Sequence, residues 1–167
     1  MVSTTTLRER ARAAAAMVTD PELPMLSLAD LGVLRQVEVV DDRVVVSITP
    51  TYTGCPAMAT MRDDLVYRLR QAGFTHVDVN VVLHPAWTSD WISPRGRAAL
   101  AEHGISAPGA ARTGPVALSL LPTRRAVACP RCGSDDTALT SEFGSTACKA
   151  LYRCRACLEP FDHIKEI

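Results

Sequence analysis

The chain has 167 residues, and its 18 lysine and arginine residues balance 18 aspartate and glutamate residues. Zero formal net charge removes the main electrostatic argument for non-specific binding to nucleic acid or to acidic membranes. No apolar run is long enough to span a membrane, and no apolar N-terminal segment precedes a small-residue cleavage site. We therefore expect a cytoplasmic protein of ordinary globular composition.

The first 54 residues predict a helix followed by a β-hairpin. Residues 6–18 are rich in alanine, arginine, leucine and glutamate, which are good helix formers. Apolar and polar residues then alternate over 33–40 and again over 44–50. The polar pair Asp41-Asp42 separates the two runs, as expected for a tight hairpin turn.

After residue 54 the apolar period changes from two to about 3.6 residues, which is typical of a helix. The apolar positions that share this face are Met58, Met61, Leu65, Leu69 and Ala72. Gly73 is placed to end the helix. Residues 75–83 then alternate as a strand, with Val77, Val79, Val81 and Leu83 on one face. A last helix is expected from Ser93, its N-cap, to about Gly104.

The predicted order is helix, hairpin, helix, strand, helix, which is an α+β fold with a three-stranded sheet packed against helices. Prolines and glycines are frequent over 106–126, a composition typical of a linker. The apolar patch 116–121 inside it could dock onto either neighbour. We therefore divide the chain into a domain over 1–105, a linker over 106–126 and a β module over 127–167.

Six cysteines in a cytosolic chain need an explanation other than structural disulfides. Two CxxC pairs, Cys129 with Cys132 and Cys154 with Cys157, are separated by 21 residues. Two such knuckles supply four thiolates in a tetrahedron, the arrangement of structural zinc, although the spacing is slightly longer than usual. A tail of about 40 residues cannot bury enough core to fold alone, so metal would stabilise it.

We therefore predict a zinc ribbon with one zinc ion per chain. Rubredoxin-type iron would use the same four ligands, and an iron–sulfur site or a redox dithiol also remains open. The fifth cysteine of this region, Cys148, is expected to be a packed thiol, with a ligand swap or a second site as the alternatives. His163 is expected to pack or to lie on the surface.

Cys55 stands alone in the first domain, between Gly54 and Pro56. Because proline favours the first helical position, Cys55 is expected at the N-cap of the second helix. Backbone N–H groups and the helix dipole there favour a thiolate, which binds metal or attacks electrophiles. A small capping or buried cysteine is an equally good interpretation of the position.

Other polar residues near Cys55 in the pattern are Asp20, Glu22, Thr51, Thr53, His84 and Asp90. The first two are expected to be turn and cap residues, and His84 a structural histidine. Trp87 and Trp91 are expected to pack in a core or an interface. No catalytic triad order, phosphate loop or zinc-protease pattern occurs, so the chain lacks the parts of a self-sufficient enzyme.

Four motifs resemble the iron–sulfur cluster assembly family that includes SufT-like proteins. They are 20–24 (DPELP), 29–33 (ADLGV), 51–56 (TYTGCP) and 85–91 (PAWTSDW), and the match covers about residues 7–105. The C-terminal motifs 129–134 (CPRCGS) and 143–161 (FGSTACKALYRCRACLEPF) narrow the resemblance to the PaaD (also called PaaJ) family of the phenylacetyl-CoA epoxidase system.

The resemblance implies an accessory, non-catalytic protein of bacterial aerobic phenylacetate breakdown, which helps to mature or maintain a di-iron or iron–sulfur centre. It implies partners among the oxygenase and reductase subunits, and the iron–sulfur assembly machinery as a further partner. The family's motif cysteine falls on Cys55, a candidate transient ligand for iron or a cluster. Cys148 belongs to the family motif, and Asp20, Glu22 and Thr51 are candidate auxiliary residues.

Two other functions remain open from the sequence. The chain can be a purely structural docking subunit, with every cysteine either a zinc ligand or a packed thiol. It can also be a zinc-ribbon nucleic-acid binder, since Arg124, Arg125, Arg131, Arg153 and Arg155 lie in or near the ribbon. Few aromatic residues and zero net charge argue against the second function. Whether the chain forms a homo-oligomer stays open.

Overall fold

A computed structural model of the protein describes residues 4–110 and 127–167. The apolar patch 116–121 and most of the predicted linker lie outside the described residues. Two compact units are present, one formed by Met1–Trp87 with Trp91–Gly96 and the other by Thr88–Asp90 with Arg97–Ile167. None of the helices in the described residues is both long and apolar enough to cross a membrane.

The elements confirm an α+β fold followed by a small β module. The helices are α1 (Thr4–Ala16), α2 (Met58–Gln71) and α3 (Pro94–Glu102), with a 3₁₀ turn at Ser89–Trp91. The strands are β1 (Leu34–Val40), β2 (Arg43–Ile48), β3 (His76–Val81), β4 (Thr137–Ser141), β5 (Lys149–Cys154) and β6 (Pro160–Ile164). The described strands form two sheets, ordered β1-β2-β3 and β4-β5-β6.

The predicted hairpin joins β1 and β2, which pair antiparallel. Asp41 and Asp42 turn the chain with φ values of 47° and 61°. Two successive positive φ values define a type I′ turn, whose twist matches that of the flanking strands. β3 follows α2 and pairs parallel with β2. The C-terminal ends of β2 and β3 and the N-terminal end of β1 therefore lie at the same end of the sheet.

The core of the first unit lies on one face of this sheet. Val44, Val46 and Ile48 of β2 are fully buried, as the alternating pattern predicted. Leu65 and Leu69 are fully buried on α2, which confirms the helical period. Burying one such side chain stabilises the fold by roughly 1.5–3 kcal/mol.

The apolar face predicted over 75–83 is only partly buried. Val79 is 8% exposed, but Val81 and Leu83 are 44% and 52% exposed. The alternation therefore identified the strand but not how much of its apolar face is buried. The physical reason is that β3 is an edge strand, with β2 on one side only.

The second unit contains the β4-β5-β6 meander, in which both pairs are antiparallel. One core cluster of this unit consists of Val127, Cys129, Cys154 and Phe161, with the Tyr152 ring stacked on Phe161. This module matches the predicted ribbon-like β architecture.

Ser106, the first residue of the predicted linker, pairs with the second sheet. Its N–H donates to the Asp162 carbonyl over 2.8 Å, and its carbonyl accepts from the Ile164 N–H over 3.0 Å. Its hydroxyl lies 3.2 Å from Nδ1 of the buried His163. The chain at residue 106 therefore acts as a short additional strand beside β6.

Candidate metal centre and the Cys55 loop

The structure brings together the four cysteines of the two CxxC pairs. The sulfur atoms of Cys129, Cys132, Cys154 and Cys157 all lie within 4.8 Å of one another. Cys129 Sγ is 3.7 Å from Cys157 Sγ, and Cys132 Sγ is 3.6 Å from Cys154 Sγ. A zinc–sulfur bond of about 2.3 Å implies a tetrahedron with edges of about 3.8 Å. The sulfur positions fit a tetrahedral metal ion.

Each CxxC pair is followed by a residue in the left-handed backbone region. Gly133 has a φ of 72° after Cys132, and Leu158 has a φ of 65° after Cys157. The Gly133 N–H donates to the Cys129 carbonyl, and the Cys157 N–H lies 3.4 Å from Cys154 Sγ. These tight turns hold the two sulfurs of each pair on the same side.

The thiols of this cluster differ in acidity. The N–H of Cys157, which donates to the Cys154 sulfur, is the main cause that lowers the pKa of Cys154 to about 7. A hydrogen bond from the backbone of Glu159 lowers the pKa of Cys157. Burial and the adjacent thiols outweigh it and raise the pKa of Cys157 to about 12. A metal cation binds thiolates, so it displaces the thiol protons of this cluster when it binds.

The donor set has four sulfurs and no oxygen or nitrogen, which is the composition of structural zinc sites. Cys129 and Cys154 are buried, whereas Cys132 and Cys157 are exposed. When bound, zinc would link the two knuckles and stabilise the small core around them. With all four positions filled by sulfur, the site leaves no position for a substrate.

Cys148 lies outside this four-sulfur group. It is 9% exposed, and its sulfur is 3.1 Å from Oγ1 of Thr146. Its carbonyl accepts a hydrogen bond from the Lys165 N–H. Cys148 therefore packs within the loop between β4 and β5.

Two ribbon arginines are paired with acidic side chains. Arg131 lies 2.6 Å from Glu159, and Arg155 lies 3.6 Å from Asp136. Such pairs leave less positive charge for the phosphates of a nucleic acid. Arg124 and Arg125 lie outside the described residues.

Cys55 lies in the loop between β2 and α2 and is half-buried. Its N–H donates to the Tyr52 carbonyl, and its own carbonyl accepts from the Met58 N–H. These successive turns delay the helix, whose N-cap is Ala57. The prediction that Cys55 is the N-cap was therefore wrong.

The candidate auxiliary residues have different surroundings. Asp20 is 5% exposed, and its Oδ1 accepts the N–H groups of Glu22 and Leu23 over 2.8 and 2.9 Å. This is the turn and cap role expected for an aspartate. Glu22 and Thr51 are half-buried. Thr51 shares the β2–α2 loop with Cys55.

A polar network centred on Asp30 was not predicted from the sequence. The Asp30 carboxylate accepts from the hydroxyls of Ser27 and Ser93 over 2.6 and 2.7 Å, and it pairs with Arg95. Burial raises the pKa of Asp30, but the hydrogen bonds from Arg95, Ser27 and Ser93 outweigh it, so the pKa is lowered overall. This network ties the ADLGV segment to the start of α3, where Ser93 also caps the Gly96 N–H. The only part of this network that lies close together in the sequence is the pair Ser27 and Asp30, which are three residues apart.

The two tryptophans also contact the ADLGV segment. Trp87 is 4% exposed and its Nε1–H donates to the Leu31 carbonyl over 2.9 Å. A β-carbon at Gly32 would lie 2.5 Å from that of Trp91. The Arg35 guanidinium lies 3.4 Å from the centre of the Trp91 ring. The predicted packing role of both tryptophans is confirmed.

Two family models match the chain. One is described as PaaD zinc beta ribbon domain and matches residues 113–165, and the other as iron-sulfur cluster assembly protein and matches residues 8–81. Together with the four-sulfur cluster, the first match identifies a metal-binding ribbon.

Individual proteins are similar to the chain as well. An Escherichia coli (strain K12) protein, named as the putative D component of 1,2-phenylacetyl-CoA epoxidase, is 48% identical over 152 residues, which cover 89% of this chain and 86% of that protein. The "Fe-S protein maturation auxiliary factor SufT" of Staphylococcus aureus (strain USA300) is 35% identical, over 50% of this chain and 97% of that protein. A solved structure of a domain of unknown function, DUF59, from Bacillus anthracis is 26% identical with a TM-score of 0.55, over 58% of this chain and 93% of that chain.

Proposed function

This chain belongs to the PaaD family of phenylacetyl-CoA epoxidase components, and we propose that it is an accessory subunit of such an epoxidase system. In this proposal it assists the maturation or maintenance of a di-iron or iron–sulfur centre in partner subunits. The partners are the oxygenase or reductase subunits of that system, and the iron–sulfur assembly machinery is a further candidate partner. The similarity to a SufT protein, named as a maturation factor, supports the maturation role.

The observation that carries this proposal is that Cys55 is not one of the four grouped cysteines. Cys129, Cys132, Cys154 and Cys157 group among themselves in the second unit, and Cys55 lies in the first unit. A half-buried thiol in a surface loop is accessible to an incoming ion, whereas the ribbon sulfurs form a closed ligand set. We assign structural zinc to the ribbon, one ion per chain, and transient iron or an iron–sulfur cluster to Cys55 as cargo.

The proposal includes three auxiliary residues beside Cys55. Thr51 lies in the same loop, and the turn capped by Asp20 contains Glu22. Carboxylate and hydroxyl oxygens are ligands that iron accepts beside a thiolate. We propose Asp20, Glu22 and Thr51 as auxiliary residues that shape this loop or assist the cargo.

The test is to produce the partner oxygenase together with either the wild-type chain or its Cys55→Ala variant. We expect the variant to fold and to retain zinc, and the oxygenase made beside it to be poor in iron and weakly active. Thr53→Ala is the matched control, because Thr53 is an exposed residue of the same loop. Full iron content and full epoxidase activity with Cys55→Ala would rule out the cargo role of Cys55.

A docking subunit without any cargo role is the second candidate. It is favoured by three large apolar side chains exposed in the ribbon module: Leu139 (44%), Phe143 (68%) and Leu158 (61%). In that case Cys55→Ala has no effect, while Cys129→Ala unfolds the ribbon and abolishes binding to the partner subunits. The iron content of the oxygenase made beside Cys55→Ala separates the two candidates, and a pull-down of Cys129→Ala with purified partner subunits tests the docking role of the ribbon.

A further inference from the structure

The four outer edges of the two described sheets are not equally protected. A β-bulge interrupts β1 between Leu34 and Gln36, and another interrupts β4 between Leu139 and Ser141. The edge of β6 is covered by Ser106. Bulges and covering segments are the usual means by which proteins prevent pairing at sheet edges. Within the described residues, β3 alone is regular and has no strand beyond it.

The outer side of β3 offers a row of backbone hydrogen-bonding groups. The Val82 N–H donates to the Ile48 carbonyl, so residue 82 turns its backbone groups towards β2. Since successive residues of a strand alternate, residues 78 and 80 do the same, and residues 77, 79 and 81 turn theirs outward. β3 contains no proline, lysine or positive φ that would block an incoming strand.

We propose that β3 is a dimerisation strand, which pairs antiparallel with β3 of a second copy about a two-fold axis through Val79. The two three-stranded sheets would then form one continuous sheet. The partner is a second copy because the β3 sequence, HVDVNV, is complementary to itself in this register.

Side-chain chemistry selects the register. Opposite residues of an antiparallel pair face the same side of the sheet. The two-fold axis must therefore lie midway between two copies of the same residue, which are then directly opposite each other. Centred on Val79, the pairing sets Val77 opposite Val81 and Asp78 opposite Asn80 of the second copy. The Asn80 amide can then donate to the Asp78 carboxylate, whose Oδ2 also accepts from Arg43 of its own chain over 2.5 Å. Centred on Asp78, the pairing would set two aspartates directly opposite each other, which is unfavourable.

The backbone supports the same register. The outward-facing residues 77, 79 and 81 become the hydrogen-bonded pairs, with about six hydrogen bonds between the two copies. Asp78 and Asn80 become the non-hydrogen-bonded pairs, in which side chains approach most closely.

Apolar exposure and free volume at this edge also fit an incoming strand. Val81 is 44% exposed and Val77 is half-buried, so pairing them would remove apolar surface from water. A groove of about 470 Å³ lies between α2 and β3, lined by Ala59, Arg62, Asp63 and Val66 of the helix and residues 77–80 of the strand. This groove can receive side chains of the second β3 on the helix-covered face.

The test measures the mass of the purified full-length chain by light scattering and its dimer dissociation constant by analytical ultracentrifugation. For a chain of 18.0 kDa, we expect a dimer of about 36 kDa. Asn80→Asp places a carboxylate opposite Asp78 at two symmetric contacts and is expected to weaken the dimer about tenfold at low salt. The double variant Asp78→Asn/Asn80→Asp restores an amide opposite a carboxylate and is expected to recover most of the lost affinity, although it also removes the ion pair between Arg43 and Asp78 in each chain.

Gln71→Glu is the matched control, because it adds the same charge at an exposed position at the end of α2. Circular dichroism spectra identical to the wild type establish that each variant is folded. A monomeric wild type across the micromolar range would overturn the proposal. A dimer insensitive to Asn80→Asp, or one that the double variant fails to recover, would overturn it as well.

Discussion

Gly32 and Gly73 share a left-handed backbone, with φ values of 77° and 92°, but have different surroundings. An alanine at either position costs about 1–2 kcal/mol in backbone strain. At Gly32 the added carbon would also lie 2.5 Å from the Trp91 β-carbon, whereas at Gly73 the nearest atom is an arginine nitrogen at 3.7 Å. The two positions therefore separate backbone strain from overpacking.

We expect Gly32→Ala to lower the free energy of unfolding by about 3 kcal/mol or more, and Gly73→Ala by about 1 kcal/mol. The difference arises because Trp91 must move to admit the new carbon. Urea titration of both variants beside the wild type checks this. Equal losses would show that the contact between Gly32 and Trp91 is not tight in solution.

The four ribbon sulfurs were predictable because two CxxC turns are local patterns with one geometric outcome. The Asp30 network was not, because Ser93 and Arg95 lie 63 and 65 residues further along the chain. The N-cap prediction for Cys55 failed because Pro56 suits a tight turn as well as a first helical position. Local sequence patterns therefore predicted where each cysteine-containing loop lies, but not the hydrogen bonds that determine its conformation.

The two metal-binding turns are the same element built from different residues. After the second cysteine, one turn has Gly133 and the other has Leu158, both with positive φ. Glycine adopts this conformation without strain, and a leucine does not. Because Leu158 is also 61% exposed, burial in the ribbon core does not explain its presence.

We expect Leu158→Gly to raise the free energy of unfolding of the ribbon by about 1 kcal/mol. Thermal melting of the zinc-loaded protein measures this change. Gly133→Ala, the converse substitution in the other turn, is expected to lower the stability by a similar amount. A loss of partner binding by the stabilised Leu158→Gly variant would favour the docking candidate; a loss of stability would contradict the strain argument.

For β3, the alternation over 75–83 predicted a strand but not its position at the edge of the sheet. Alternation reports which side chains share a face, and that face is buried only where another element covers it. Position in a sheet depends on pairing between distant segments. The exposure of Val81 and Leu83 could therefore only be read from the structure.

The molecule as a whole is expected to respond to metal removal in one unit only. The first unit has an extensive apolar core, whereas the core cluster of the ribbon comprises four buried residues, two of them cysteine ligands. The other buried apolar residues described over 127–167 are Cys148, Ala150 and Ile164. A strong chelator should therefore unfold the ribbon and leave β1, β2 and β3 intact. Amide NMR spectra, recorded before and after chelation, resolve the two units separately.

Acid is expected to promote the same loss of metal. Protons compete with zinc for each thiolate, so affinity falls as the pH is lowered, and this includes the region below the pKa of about 7 of Cys154. Readdition of zinc at neutral pH should restore the ribbon signals. Loss of the first-unit signals on chelation would show instead that both units depend on the metal.

The strand-like pairing of Ser106 with β6 bears on how such a module can pass from one gene to another. A recombination event that copied only the codons from residue 127 onward would transfer all four ligands but leave the backbone of Asp162 and Ile164 without the hydrogen bonds that Ser106 makes. The recipient protein would then have a metal-binding ribbon whose edge strand β6 is unpaired and prone to pairing with other chains. Natural selection should therefore retain the short segment around residue 106 together with the four cysteines, even though this segment contains no metal ligand.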